Sequence, residues 1–170
     1  MLEVKYQTLK DFDRIFNGLS DSELKAISRI VRKEQADAGT LIITEGDECE
    51  ELYLLEEGVV DVHRTLTIVS SRHDFGTKER SFSRLDGDCH CTFGEIALIG
   101  GGTRTATVKA VTNCSLLVID GTRFMKLCND QPNIGYVVTR NIALILVEYL
   151  RKANDDVVKL TTALSLALSG

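Results

Sequence analysis

Two side chains of opposite charge flank a glycine-rich stretch and suggest a chemistry. Glu95 follows Gly94 in Phe93-Gly94-Glu95-Ile96-Ala97-Leu98, and Arg104 opens Arg104-Thr105-Ala106-Thr107-Val108, with Ile99-Gly100-Gly101-Gly102-Thr103 between them. A glycine lets a backbone approach a ligand closely. A short helical turn starting there points unpaired N–H groups outward, which suits an anion. A carboxylate accepts hydrogen bonds from hydroxyls, and a guanidinium offers a planar fork matched to phosphate. An anion site and a hydroxyl site this close fit a sugar phosphate. The plainer alternative is a β-turn carrying a surface Glu–Arg pair.

The chain must supply elements that hold these residues. Its 170 residues, 44% of them hydrophobic, with mean hydropathy near zero, fit one globular domain with a real core. No apolar run reaches the roughly 18–20 residues of a membrane span. The N-terminus MLEVKYQTLKDFDRIF mixes charge with apolar residues and is no signal peptide. With 20 Lys+Arg against 25 Asp+Glu, the net charge of -5 argues against non-specific nucleic-acid binding, which rests on neutralising phosphates. Five cysteines, an odd number without the spacing of a disulfide scaffold, point to a reducing, cytoplasmic setting.

The hydrophobic period divides the chain in three. Residues 8–33 read as helical: Phe12, Ile15, Phe16 and Leu19 recur at helical spacing. Ser20 and Glu23 form a capping box, and Leu24, Ile27, Ile30 and Val31 form one apolar face. Residues 38–120 read as short strands separated by glycine turns. They include Leu41-Ile42-Ile43, Leu52-Tyr53-Leu54-Leu55 with a turn at Glu57-Gly58, an alternation through Val60, Val62, Leu66 and Ile68, a second from Thr105 to Ala110, and Leu116-Leu117-Val118-Ile119. Many short strands without long intervening helices predict a jelly-roll β-barrel.

Residues 122–169 return to helix, with Pro132 where a first turn tolerates it. Ala143, Leu146, Leu150, Ala153, Val157, Leu160, Leu164 and Ala167 follow at spacings of 3 and 4, a seam of more than three heptads. Two readings stand: self-association through that seam, or a helix lying on the β core. The expected fold is therefore mainly β with flanking helices, with residues 1–131 the β-roll and its N-terminal helices and 132–170 a C-terminal lid and dimerisation helix.

FGEIAL, the glycine-rich spacer and RTATV resemble the phosphate-binding cassette of cyclic nucleotide-binding domains, the family of the catabolite activator protein and of cyclic-nucleotide-dependent kinase regulatory regions. The resemblance runs from about Phe16 to Ala153 and includes Leu19-Ser20-x-x-Glu23-Leu24, Ala38 to Ile42, Glu45-Gly46-Asp47, Tyr53, Gly58 to Val62 and Val111 to Asp120. It implies a β-roll fold and a stand-alone sensor that binds cAMP, with cGMP binding measurably. By the same resemblance, Arg104 pairs with the exocyclic phosphate oxygens and Glu95 takes the ribose 2′-hydroxyl. The N–H groups of Ile96 and Ala97 cap the phosphate, Thr105 adds a hydroxyl near phosphate or base, and Gly94 and Ala106 complete the cassette. Arg151 or Asn154 on the lid helix could meet the base. Homodimerisation through 143–167 and signalling to an unknown effector protein are implied as well.

The chain departs from the family pattern in three places. Cys89-His90-Cys91-Thr92 intervenes between Gly87-Asp88 and Phe93. The stretch Ser70 to Arg84 is longer and more polar than a tight hairpin needs. No helix-turn-helix segment with clustered Arg and Lys follows, so DNA binding by this chain alone is not expected. Cys89, His90 and Cys91, with His73, invite a metal or redox-sensor reading, but a zinc site needs a second ligand pair that is not evident. Another alternative is a dimeric interaction module with a vestigial pocket. The three histidines, His63, His73 and His90, lack the spacing of a jelly-roll metalloenzyme, and no nucleophile–base pair stands out. No enzyme activity, metal or cofactor is therefore expected.

Overall fold

The computed structural model describes residues 4–70 and 74–169, and the side chains of 4–64 and 83–168. His73, and the facing of Leu66 and Ile68, lie outside what is described.

Among the described residues, eight strands form two antiparallel four-stranded sheets. One contains β1 (Val31–Ala36), β8 (Cys114–Ile119), β3 (Leu52–Glu57) and β6 (Thr92–Phe93), in that order. The other contains β2 (Leu41–Ile43), β7 (Thr107–Ala110), β4 (Val59–Ser70) and β5 (Asp74–Asp86). Side chains from both sheets meet inside the roll: Ala36, Tyr53, Leu55, Phe93, Leu116 and Val118 from the first, and Ile43, Val60, Val108 and Ala110 from the second. The opposite face of the first sheet, through Leu52, Leu54, Leu117 and Ile119, packs on helices. This sheet is therefore buried on both sides, which explains why β3 and β8 read as unbroken apolar runs rather than alternations. The jelly-roll expectation holds.

Among the described residues, five α-helices surround the roll: α1 (Asp13–Phe16), α2 (Asp21–Ser28), α3 (Glu95–Gly100), α4 (Gly121–Asp130) and α5 (Pro132–Ser169). The capping box at α2 is formed: the Ser20 hydroxyl accepts from the Glu23 N–H at 3.4 Å, and Glu23 accepts from the Ser20 N–H at 2.8 Å. Asp120 caps α4 by accepting from the Arg123 N–H at 2.9 Å. Pro132 opens α5, where its missing N–H costs nothing.

The reading of 8–33 as helical is corrected at both ends. Thr8–Asp11 is a 3-10 turn, and Val31 begins β1, paired with Ile119. Burial of Val31 against β8 overrides its place on the helical apolar face. In β4 a register shift between Val62 and His63 interrupts the two-residue period.

α5 behaves in two ways along its length. Ile134, Val138, Asn141, Ile142 and Ile145 are buried against the helical side of the body, and Asn141 donates to the carbonyls of Ile15 at 3.0 Å and Asn17 at 2.9 Å. From Val147 to Leu168 every residue is exposed, including Leu150, Val157, Leu160 and Leu164 of the heptad seam. The stripe that docks the helix is thus not the seam; only Leu146 belongs to the seam and also packs on the core. No described helix is long and apolar enough to cross a membrane.

Candidate functional site

The site is assembled from β6, α3, the loop into β7, and the turn between β2 and β3. Gly94 follows β6 with φ of 89° and starts α3, whose first turn contains Glu95, Ile96 and Ala97. A Cβ at Gly94 would stand 2.7 Å from the Glu51 carbonyl oxygen, so only glycine fits both the space and the backbone. First-turn N–H groups have no carbonyl partner inside their own helix. After α3 the chain turns back, and Arg104 is fixed by two backbone bonds: its N–H donates to the Asp47 carbonyl at 2.8 Å, and its carbonyl accepts from the Gly46 N–H at 2.9 Å.

The Arg104 side chain is buried, at 4% exposure. Nη2 donates to the Glu51 carbonyl at 2.8 Å and Nη1 to the Gly94 carbonyl at 3.4 Å. These bonds use two of the five N–H donors a guanidinium carries. The guanidinium carbon lies 5.7 Å from the Tyr53 ring centroid, and that ring stacks on Phe93 at 5.2 Å. Behind it, the Tyr53 hydroxyl donates to Glu51 Oε2 at 2.7 Å, and Arg32 holds Oε1 of the same carboxylate. Burial works against ionisation of Glu51, yet the hydrogen bonds from Tyr53 and Arg32 hold its carboxyl below the ordinary range. Burial first, and then the bond to Glu51, push the Tyr53 phenol upward.

Glu95 has the opposite environment. It is 5% exposed, and among the described residues its Oε2 has no hydrogen-bond partner. Burial raises its carboxyl above the ordinary value, and its own backbone N–H and the Arg104 charge only partly offset this. A buried acceptor without a donor costs about 1–3 kcal/mol. A ligand hydroxyl would recover part of that. Burial first, and then the Glu95 charge, push the Tyr149 phenol of α5 upward. A cavity of about 110 Å³ opens beside Arg104, lined by Ile42, Ile43, Thr44, Asp47, Cys49 and Tyr53.

The structure thus brings Gly94, Glu95 and Arg104 together. Thr105 is exposed next to Arg104, Ala106 is half-buried, Ala97 is buried and Ile96 is exposed. Arg151 and Asn154 are exposed on α5, with no described contact to the site. Sequence reasoning missed Glu51, Tyr149, Asp47 and Cys49. Glu51 holds Arg104 through a backbone carbonyl, which leaves no trace in residue type. Tyr149 requires the register of α5 against the roll.

Cys89 and Cys91 are joined in a disulfide, while Cys49, Cys114 and Cys128 are free and Cys114 is buried in β8. The bond falls in the Cys89 to Cys91 stretch for which the sequence left a redox-sensor reading open. The loop geometry brings the two cysteine Cα atoms to 5.3 Å, within bonding range. The His90 and Phe12 rings meet edge to face with centroids 5.3 Å apart. Among the described residues no group of three or more His, Cys, Asp or Glu could hold a metal ion.

The two-sheet antiparallel roll thus presents a buried arginine and, at the start of a short helix, a buried carboxylate with one unpartnered oxygen among the described residues. A family model described as "Cyclic nucleotide-binding domain" matches residues 33–131, and the chain belongs to that family. It is 28% identical over 121 residues to a putative potassium channel protein of Rhodopseudomonas palustris, covering 71% of this chain and 26% of that protein. It is 28% identical over 141 residues to the cyclic AMP receptor protein of Thermus thermophilus, covering 82% of this chain and 58% of that one. The solved catabolite activator protein of T. thermophilus superposes with a TM-score of 0.71 at 27% identity, covering 87% of this chain and 63% of the other. The chain spans about a quarter of the channel relative's length and less than two thirds of the receptor's.

Proposed function

We propose that this protein is a cyclic nucleotide sensor whose preferred ligand is cAMP, with cGMP a weaker alternative. Arg104 pairs with the exocyclic phosphate oxygens, the N–H groups of Ile96 and Ala97 cap them, and Glu95 accepts from the ribose 2′-hydroxyl. Thr105 stands near the phosphate or base. The observation that carries this reading is the Glu95 carboxylate, buried and lacking a partner at Oε2 beside an equally buried Arg104. One group calls for a hydroxyl donor and the other for an anion; a ribose cyclic phosphate supplies both. The cavity of about 110 Å³ is below the ~300–1,000 Å³ typical of ligand pockets. Binding must therefore widen it.

In this reading residues 1–131 bind the nucleotide. Residues 132–170 form the lid and pair two copies through 143–167, and a cytoplasmic effector protein reads the change. The chain has no catalytic role and does not bind DNA by itself.

Isothermal titration calorimetry with cAMP and cGMP tests this. Arg104→Ala should weaken binding by on the order of 2–5 kcal/mol, as expected for removing one member of a buried charge pair. Glu95→Ala should cost about 1.5–3 kcal/mol, the range for a hydrogen bond to a charged group. A folded Arg104→Ala variant that binds like wild type would overturn the assignment.

A further inference from the structure

We propose that Cys89 and Cys91 are a reversible thiol–disulfide pair that tunes ligand affinity by positioning the start of α3; the affinity part rests on the cyclic nucleotide reading above. The disulfide closes over a single residue, His90, which has the one positive φ among the described non-glycine residues, 46°. Cys89 is exposed and Cys91 half-buried, so small thiols can reach the bond. Exposed disulfides of this kind are the labile, regulatory ones.

The pair is wired to the site through a short path. The Cys91 carbonyl accepts from the Leu55 N–H at 2.9 Å, and the next residues, Thr92 and Phe93, pair with Leu54 and Tyr53. Phe93 stacks on Tyr53, the ring that faces Arg104, and Gly94 and Glu95 follow directly. On the other side, the Gly87 N–H is tied to the Gly58 carbonyl at 2.8 Å, and the His90 ring is held by Phe12. The loop is thus anchored at both ends, and the disulfide removes the freedom between the anchors. Constraining a binding element in its bound geometry raises affinity by lowering the ordering cost.

The chemistry is thiol–disulfide exchange with a small-molecule disulfide such as oxidised glutathione. The thiolate of one cysteine attacks a sulfur of that disulfide and expels one glutathione thiolate. The second cysteine then attacks the mixed disulfide and expels the other. Two protein thiols are oxidised by two electrons, one S–S bond is broken and one formed, and two glutathione thiols carry away the protons.

The test begins by equilibrating the full chain in glutathione buffers of graded potential and counting thiols by maleimide–polyethylene glycol gel shift. The count should move reversibly between five and three, and Cys89→Ser and Cys91→Ser should abolish that step. Titration with cAMP should show the reduced form binding three- to tenfold more weakly than the oxidised form, with no redox dependence in Cys89→Ser. Hydrogen exchange of the amides at 92–97 should be faster in the reduced form. A thiol count that never changes overturns the proposal. Equal cAMP affinity in both states overturns it while leaving the nucleotide reading intact. If neither state binds cAMP, the nucleotide reading fails. The exchange data then decide this proposal alone: faster exchange at 92–97 on reduction supports the coupling, and unchanged exchange overturns it.

Discussion

Nη1 of Arg104 lies 3.4 Å from the carbonyl oxygen of Gly94, and a Cβ on that glycine would sit 2.8 Å from the same nitrogen. The two residues are ten apart in sequence, yet each defines where the other can be. Arg104 can hold this position only while residue 94 has no side chain. Its bond to the carbonyl in turn helps keep Gly94 in the left-handed conformation that starts α3.

Gly94→Ala should therefore damage stability and binding together. The left-handed backbone alone costs a non-glycine residue roughly 1–2 kcal/mol. The approach of 2.7 Å to the Glu51 carbonyl adds to that, because backbone cannot easily yield. Thermal melting followed by circular dichroism should show Tm lowered by several degrees, the scale a loss of 1–2 kcal/mol implies for a chain of this size. An unchanged Tm would mean the turn relaxes freely.

Glu95→Gln should stabilise the protein at neutral pH and lose that advantage in acid. Burial raises the folded-state carboxyl above its ordinary value of 4.5. Below that value the side chain is protonated in both states and folding carries no penalty. As pH rises through the elevated folded value, ionisation costs more in the folded protein than in the unfolded one, so stability falls until both are ionised. Glutamine escapes that loss. Urea unfolding at pH 7 should favour Glu95→Gln, with the gap closing toward pH 4.5; a constant gap would assign the effect to packing.

Leu150→Glu combined with Leu160→Glu should yield a monomer. Both residues are more than half exposed in the single chain, at 61% and 70%, and both stand on the seam. In a parallel pair each would bury a carboxylate against an apolar layer, which is costly without a partner. Sedimentation velocity checks this directly. A dimer that survives the double substitution would place the contact elsewhere.

Thr105→Ala should lower cGMP affinity and spare cAMP. The side chain is exposed directly after Arg104, where a guanine held syn could bring its 2-amino group to the hydroxyl. One such hydrogen bond contributes about 0.5–1.5 kcal/mol, so the preference shifts only several-fold. Parallel titrations with the two nucleotides decide it; equal losses would assign Thr105 to the phosphate.

What could be read from the sequence was what a residue type makes obligatory. Ser20 with Glu23, Pro132 and Gly94 each perform a local task that few other residues perform, and all three stand where that task predicts. The strand β1 was hidden because its sequence, VRKEQA, buries only its two ends, leaving no alternation to detect. On α5 two apolar stripes overlap: the regular seam drew attention, while Ile134, Val138 and Ile142 do the docking. At the site, Arg104 and Glu95 announced themselves by charge. The group that aims Arg104 is the Glu51 carbonyl, which every residue type would present alike.

α5 has a mechanical consequence. Its body-bound portion ends near Leu146, leaving the segment to Ser169 projecting by ~34 Å at 1.5 Å per residue. A tilt of about 5° at the root sweeps the far tip through roughly 3 Å, close to the rise of two helical residues. At that root Arg14 pairs with Glu148, and burial and then the Glu95 charge push the neighbouring Tyr149 phenol upward. A small tilt at the root, too small to disturb the packed body, would thus be enlarged at the tip, and the exposed Arg14–Glu148 ion pair spans that root.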